Sequence, residues 1–164
     1  MAAAEPLALR KLRAWLRRRG FGLQLAKRES QVCFASRLVT IQRTLTPTSR
    51  LATLLHECGH VLVHLARRRD ERVKVAGASG LDWQRLSRLR GRRGALFELQ
   101  EEMVAWDRGE KLGRRLGLRA PARKWQLART RALMSYARSL VWSPPLRPAK
   151  LTRSVKKAGS STSR

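Results

Sequence analysis

The decisive stretch of this 164-residue sequence is LLHECGHVLVH, residues 54–64. On a helix, His56 and His60 lie about one turn apart on the same face, so their imidazoles can converge on one metal ion. Glu57 is then placed to hydrogen-bond a water molecule held by that metal. This spacing is the HExxH arrangement of zinc hydrolases, and it predicts Glu57 as the general base.

The same stretch could instead form an ordinary core helix whose histidines are satisfied by hydrogen bonds. Apolar residues recur through it at helical spacing and would bury most of the helix. They are Leu51, Leu54, Leu55, Cys58, Val61, Leu62 and Leu65. Burying Glu57 and two histidines among them is costly unless each is paired or ligated, which favours a metal site. Gly59 costs about 1 kcal/mol relative to alanine inside a helix, which indicates close packing or space beside the metal.

A catalytic zinc ion usually takes three protein ligands and leaves one position for water. No histidine follows His64, so a distant third histidine is excluded. His64 itself lies one turn beyond His60, where successive imidazoles drift away from a common point. We therefore expect His64 behind the ligands or at the surface, and we expect the third ligand among the eleven carboxylates.

The one acidic cluster of the sequence lies in a second predicted helix, over residues 95–116. Glu102 is the expected third ligand, and Glu101, which points about 100° away from it, is the alternative. Glu98 and Glu101 fit a solvated face paired with nearby basic residues, although Glu98 could also orient a metal ligand. Those basic residues are Arg108 and Lys111. The predicted buried stripe consists of Leu96, Leu99, Met103 and Trp106.

These stretches resemble the ImmA/IrrE-type gluzincin metalloproteases over about residues 30–115. The matching segments are LLHECGH with His64 and, later, the E-x-x-A pattern within EMVAW at 102–106. The resemblance implies a peptidase with Glu57 as base and a zinc ion held by three ligands. Those ligands are His56, His60 and Glu102. After Ala105 the chain departs from the family, because WDRG stands where an Asn-x-Phe-Ala run is common. No separate helix-turn-helix module is evident.

The expected fold class is α+β: a mostly helical, zincin-like domain over residues 1–142 with a core at about 30–116. A short β-hairpin or small sheet is expected before the HExxH helix, across 31–44 with a turn at Ser36-Arg37. Helices are predicted at about 6–19, 49–68, 82–88, 95–116 and 122–141. The rest of 70–93 is expected to be a mobile connection, and 143–164 a disordered basic tail.

In gluzincins the strand just before the HExxH helix typically binds an extended substrate backbone by strand addition. Residues 31–44 are therefore the candidate substrate edge, and a plain structural hairpin is the alternative. Tyr136 is the sole tyrosine. A tyrosine commonly stabilises the oxyanion in zinc proteases, but a lone aromatic residue on a periodic helix usually packs in the core, so we expect packing.

Thirty-seven basic residues stand against eleven acidic ones, a net charge of +26. This charge favours polyanions, and non-specific nucleic-acid binding through the arginine and lysine clusters is the first candidate beside a protein or peptide substrate. A general solubilising surface is the alternative. The positive field would also favour acidic protein substrates. The rival function is a basic nucleic-acid-binding or regulatory module with a structural or vestigial zinc site.

The two cysteines, Cys33 and Cys58, are too few for a disulfide scaffold and fit a reducing cytosol, with Cys58 buried in the helix. No apolar run approaches 18 residues, so no membrane span is expected and a cytoplasmic location is predicted. The arginine-rich N-terminus is faintly similar to a mitochondrial transit peptide, but helix packing explains its pattern better.

Overall fold

The structure, a computed structural model, describes residues 6–75 and 91–142. Within these ranges the chain forms four helices and one small mixed sheet, which confirms the predicted α+β class. The elements are α1 (Leu7–Arg17), β1 (Gly22–Ala26), β2 (Gln31–Cys33), β3 (Leu38–Gln42), α2 (Pro47–Val75), α3 (Gly91–Arg115) and α4 (Ala122–Trp142). The helix predicted at 82–88 and the basic tail predicted at 143–164 lie outside the described residues.

Helix α1 is held by an apolar face that repeats at helical spacing. Its buried residues are Leu9, Leu12, Trp15 and Leu16. Burying this stripe leaves the arginines of the helix in water. Gly20 follows with φ +75°, a left-handed conformation that glycine adopts without steric cost, and the chain turns there into β1.

The three strands form a sheet in the order β1-β3-β2. β1 runs parallel to β3, whereas β2 runs antiparallel to β3 with Val32 opposite Val39. The hairpin predicted across 31–44 is therefore confirmed, and its turn spans residues 34–37. β1 was not predicted, because its short sequence GLQLA becomes a strand only by pairing with β3. Within the described ranges β2 pairs on one side only, so its other side is an edge of the sheet.

Helix α2 begins at Pro47, where the Thr46 hydroxyl accepts a hydrogen bond from the Ser49 N–H at 3.3 Å. It continues to Val75, beyond the predicted end at residue 68. No glycine or proline interrupts residues 69–75, so a polar helix can continue there. The connection predicted across 70–93 is therefore wrong at both ends, because residues 91–93 belong to α3.

Helices α2 and α3 pack closely through small residues. A Cβ at Gly59 would overlap the carbonyl oxygen of Ala105, and a Cβ at Gly109 would overlap that of Leu55. The two glycines therefore let the helix backbones approach to contact distance. The close packing predicted at Gly59 is confirmed, and it brings α3 against the helix that carries the HExxH motif.

The buried face of α3 differs from the predicted one. Trp106 is buried as expected, but Leu96 is 58% exposed and Met103 is 45% exposed. The buried face mainly carries small residues, with Glu102 among them. It consists of Gly94, Ala95, Glu102, Ala105, Trp106, Gly109, Leu112 and Gly113. Close backbone contact with α2 admits small side chains at the interface, so the larger apolar residues turn outward.

Helix α4 follows Pro121 and packs against α3 and α2. Trp125 is buried against Trp106 in an edge-to-face arrangement, with ring centroids 4.9 Å apart. Beneath these helices lies a core built from α1, β1, β3 and α2. Its largest fully buried side chains are Leu12, Leu16, Val39, Thr40, Ile41, Leu54, Leu55, Cys58 and Val61. None of the helices in the described ranges is long and apolar enough to cross a membrane.

Candidate metal centre

The structure brings His56 and His60 of α2 together with Glu102 of α3. Their ligand atoms all lie within 4.8 Å of one another. The Nε2 atoms of the two histidines are 3.1 Å apart. Glu102 faces both rings, with Oε2 3.3 Å from Nε2 of His56 and Oε1 3.2 Å from Nε2 of His60. Two imidazole nitrogens and one carboxylate therefore converge on a single point.

The cluster is small enough for its three residues to bind one metal ion. Metal–ligand bonds of about 2.0–2.1 Å directed to the corners of a tetrahedron separate the ligand atoms by about 3.3–3.4 Å. The two Nε2 atoms are 3.1 Å apart, near that spacing, and each of them faces a different oxygen of Glu102, at 3.3 Å and 3.2 Å. Two histidines and a glutamate are also a donor set that catalytic zinc sites use. The residues present therefore fit a zinc ion.

Glu101, the alternative ligand, points elsewhere. Its carboxylate pairs with the Arg67 guanidinium on α2, outside the histidine cluster. The pairing of this acidic face with Arg108 was predicted wrongly, because Arg108 donates a hydrogen bond to the Leu62 carbonyl at 2.7 Å. Glu98 is exposed, and in the described part of the chain no ion pair joins it to either imidazole. The geometry thus separates Glu102 from its two neighbouring carboxylates.

Glu57 is buried beside the cluster, with only 6% of its surface exposed. Burial raises the pKa of its carboxyl to about 7, and the Glu102 carboxylate adds to the rise while His60 opposes it. A base with a pKa near the working pH exchanges protons most effectively. The predicted general base is therefore in an environment suited to that role.

The three cluster residues change one another's pKa values. Burial lowers the pKa of His56 and outweighs the opposing hydrogen bond with Glu102. Burial also acts to lower the pKa of His60, but the bond and charge of Glu102 prevail and raise it. For Glu102, burial favours the neutral form, yet the two imidazoles prevail and lower its pKa to about 2. Glu102 is thus held as a carboxylate, the form that binds a metal.

Trp106 supports the first histidine of the motif. Its indole stacks on the His56 imidazole, with ring centroids 4.2 Å apart and planes 19° from parallel. Trp125 in turn packs edge-to-face on Trp106. Trp106 is one of the residues at which the sequence departs from the ImmA/IrrE pattern, and the departure places an aromatic ring against a candidate ligand.

Tyr136 of α4 lies at the cluster, which the sequence interpretation missed. Its hydroxyl donates a hydrogen bond to Oε1 of Glu102 at 3.1 Å. Burial raises its pKa, and the nearby Glu102 carboxylate raises it further. A signal was present in the sequence: Trp125 and Tyr136 are eleven residues apart, so they share a helix face. Once Trp125 packs near the cluster, Tyr136 follows on the same side.

The cluster opens into a cleft of about 460 Å³ between the β-hairpin and α4. Its walls combine edge-strand residues, the candidate metal ligands and one face of α4. They are Ser30, Gln31, Val32, Phe34, His56, Glu57, His60, Glu102, Ala132, Ser135 and Tyr136. β2, the strand of the candidate substrate edge, therefore borders the cleft directly.

His64 lies outside the cluster, as predicted. Its ring stacks on Phe34 of the hairpin turn, with centroids 4.4 Å apart and planes 18° from parallel. Cys58 is buried as expected, and Cys33 is exposed; neither forms a disulfide. Among the described residues, the metal-binding group contains only His56, His60 and Glu102.

Comparisons of the chain with protein families, curated proteins and solved structures give no match. The resemblance to the ImmA/IrrE-type proteases therefore rests on the residues of the two helices and on their order along the chain.

Proposed function

We propose that this chain is a zinc-dependent peptidase of gluzincin type. The main support is that His56, His60 and Glu102 converge beside the buried Glu57, at the floor of an open cleft. A bound zinc ion would supply activation of a water molecule and polarisation of the scissile carbonyl. The position of the buried Glu57 carboxyl beside these candidate ligands supports a role as the general base of a hydrolase.

Each residue at the cleft then has a defined task. Glu57 accepts the proton of the attacking water and passes it to the leaving amine. Its pKa of about 7 supports this two-way transfer near neutral pH. Tyr136 holds Glu102 by its hydrogen bond, so the carboxylate keeps one orientation toward the imidazoles. Trp106 does the same for His56 by stacking.

The edge of the sheet offers a way to hold an extended peptide. β2 borders the cleft and pairs with β3 on its other side. Backbone groups along a free strand edge bind a peptide as an added strand, whatever the side chains of that peptide are. This arrangement supports a protein or peptide substrate in preference to a small molecule.

The test combines metal analysis with digestion of a peptide library. Purified wild-type protein is loaded with zinc and incubated with a diverse mixture of peptides, and new termini are identified by mass spectrometry. We expect cleavage by the wild type and a loss of about 10²–10⁴-fold in Glu57→Gln. Glu57→Gln should retain one zinc ion and the wild-type circular dichroism spectrum. A zinc-loaded wild type that cleaves nothing would contradict the proposal.

A second candidate is a basic nucleic-acid-binding or regulatory module that keeps the zinc site for structure. The net charge of +26 favours it, because clustered arginines and lysines bind phosphates without reading sequence. In that case Glu57→Gln would leave function unchanged, whereas replacing arginine clusters would abolish it. Measuring single-stranded DNA binding at rising salt, for the wild type and both kinds of variant, distinguishes the two functions.

A further inference from the structure

A second cavity, of about 240 Å³, lies beside the catalytic cleft and is strongly basic. We call it the basic cavity. Its charged and titratable lining residues are Arg19, Arg37, His64, Arg68 and Arg69. No carboxylate lines it among the described residues, and none of its four arginines forms an ion pair with a described carboxylate. Clustering like charges in this way is unfavourable unless an anion joins them.

One of the arginines is held in place by the fold, and a second lies close to it. The guanidinium of Arg19 lies over the Trp15 ring, 3.9 Å from its centroid, and donates a hydrogen bond to the Trp15 carbonyl at 3.2 Å. Burial, with the neighbouring Arg18 charge, lowers the pKa of Arg19. Arg37 occupies the last position of the hairpin turn with φ +50°, and its guanidinium lies against Gly20. A restrained guanidinium group such as that of Arg19 loses less entropy on binding an anion than a freely moving one does.

The basic cavity shares a wall with the catalytic cleft. Phe34 lines the cleft, and its ring stacks on His64, which lines the basic cavity. Phe34 also contacts Phe21 of the basic cavity edge-to-face, with centroids 6.4 Å apart. A bound peptide that extends from the cleft past Phe34 therefore reaches the arginines of the basic cavity.

The spacing along α2 fits a peptide. His60, His64 and Arg68 follow one another at intervals of four residues, so they lie on one side of the helix. His60 and Arg68 are about 12 Å apart along the axis. An extended peptide covers that distance in about three to four residues. A side chain a few residues from the cleaved bond would thus reach the basic cavity.

We propose that the basic cavity is the subsite for an acidic side chain of the peptide substrate; this inference rests on the proposed peptidase function. Arginine guanidinium groups bind a carboxylate through paired, charge-assisted hydrogen bonds. A cavity of about 240 Å³ accommodates a single side chain, whereas a nucleic-acid strand needs an extended surface. The substrate class is therefore a peptide with Asp or Glu at one fixed position within about four residues of the cleaved bond.

The peptide library tests this subsite directly, because cleavage sites reveal the residue preferred at each position. We expect Asp and Glu to be enriched at one position on one side of the cleaved bond. The double variant Arg68→Glu/Arg69→Glu should lower kcat/KM for a matched acidic peptide by about tenfold or more. For a peptide with Gln at that position, kcat/KM should change by no more than about twofold, because the Gln side chain carries no charge.

The matched control is Arg10→Glu/Arg123→Glu, which changes net charge equally at two exposed residues that line neither cavity. This control should keep the acidic preference, because only the local arginines contact the side chain. Zinc content and circular dichroism spectra establish that each variant is folded.

Four results would overturn the subsite, and they are distinguishable. Cleavage without acidic enrichment, or an equal loss in the control, removes the subsite and leaves the peptidase function intact. No cleavage by zinc-loaded wild type removes both. The last result concerns DNA. If a single-stranded DNA oligonucleotide binds the wild type but not Arg68→Glu/Arg69→Glu, and that variant keeps the wild-type peptide preference, the cavity is a phosphate site instead.

Discussion

The indole of Trp106 stacks on the imidazole of His56, with ring centroids 4.2 Å apart. The contact restrains one face of the His56 ring, whose buried Nδ1 has no hydrogen-bond partner among the described residues. In many metal sites that second ring nitrogen is held by a hydrogen bond. Stacking on Trp106 therefore performs the orienting task that a hydrogen bond performs elsewhere.

Replacing Trp106 should affect both stability and zinc affinity. Trp106→Ala removes a buried indole, so we expect a loss of about 3–5 kcal/mol in the free energy of unfolding. We also expect weaker zinc binding, because the His56 ring loses its support. Trp106→Phe keeps an aromatic surface and should restore most of the zinc affinity. Urea unfolding and competition with a chromogenic chelator measure the two effects; equal zinc affinity in all three proteins would contradict the orienting role.

The contact between Gly59 and the Ala105 carbonyl gives a second prediction. Gly59→Ala should destabilise the protein by about 1–3 kcal/mol, because the added methyl group forces α2 and α3 apart. The direction of the stability change is informative, because replacing glycine by alanine in a helix interior otherwise stabilises a protein by about 1 kcal/mol. Thr53→Ala, a half-buried position on the same helix, is the control and should change stability little. Chemical denaturation of both variants measures the difference, and a more stable Gly59→Ala would contradict the close packing.

The sequence predicted the features that depend on local pattern. Helical spacing placed His56 and His60 on one face, and the acidic cluster supplied Glu102 from the second helix. Periodicity predicted the face of each helix, whereas the assignment of Glu102 to the two histidines came from the donor set of zinc sites and from the family resemblance. The hairpin before α2 was predicted for the same reason, since its residues alternate and its turn is local.

The features that were missed depend on contacts between distant segments. β1 is a strand because it pairs with β3, a partner some sixteen residues away in register. Leu96 and Met103 are exposed because small residues of α3 meet the glycine of α2, which helical periodicity alone does not reveal. Tyr136 reaches Glu102 only after α4 has packed on α3. The spacing of large apolar residues predicts a buried face, but the close approach of two helix backbones admits mainly small side chains between them.

Metal analysis separates the two adjacent glutamates. Wild-type protein should bind one zinc ion per chain, Glu102→Ala should lose it, and Glu101→Ala should retain it. The reason is geometric: Glu102 faces both imidazoles, whereas Glu101 pairs with Arg67. Loss of that partly exposed ion pair should cost no more than about 1 kcal/mol of stability. Mass spectrometry of metals on the untagged proteins gives the answer, and zinc retained by Glu102→Ala but lost by Glu101→Ala would reverse the assignment.

The hydrogen bond from Tyr136 to Glu102 yields the last prediction. Tyr136→Phe removes only the hydroxyl, so α4 should remain packed while Glu102 loses its support. Zinc affinity should then fall by about 10-fold or more, as is typical when a residue that orients a ligand is removed. Peptide cleavage at a limiting zinc concentration should fall with the zinc affinity, because fewer protein molecules then hold the ion. Met134→Leu, at an exposed position on the same helix, is the control and should match the wild type in both measurements. Unchanged zinc affinity and cleavage in Tyr136→Phe would show that the hydroxyl, although close to Glu102, has no part in holding it.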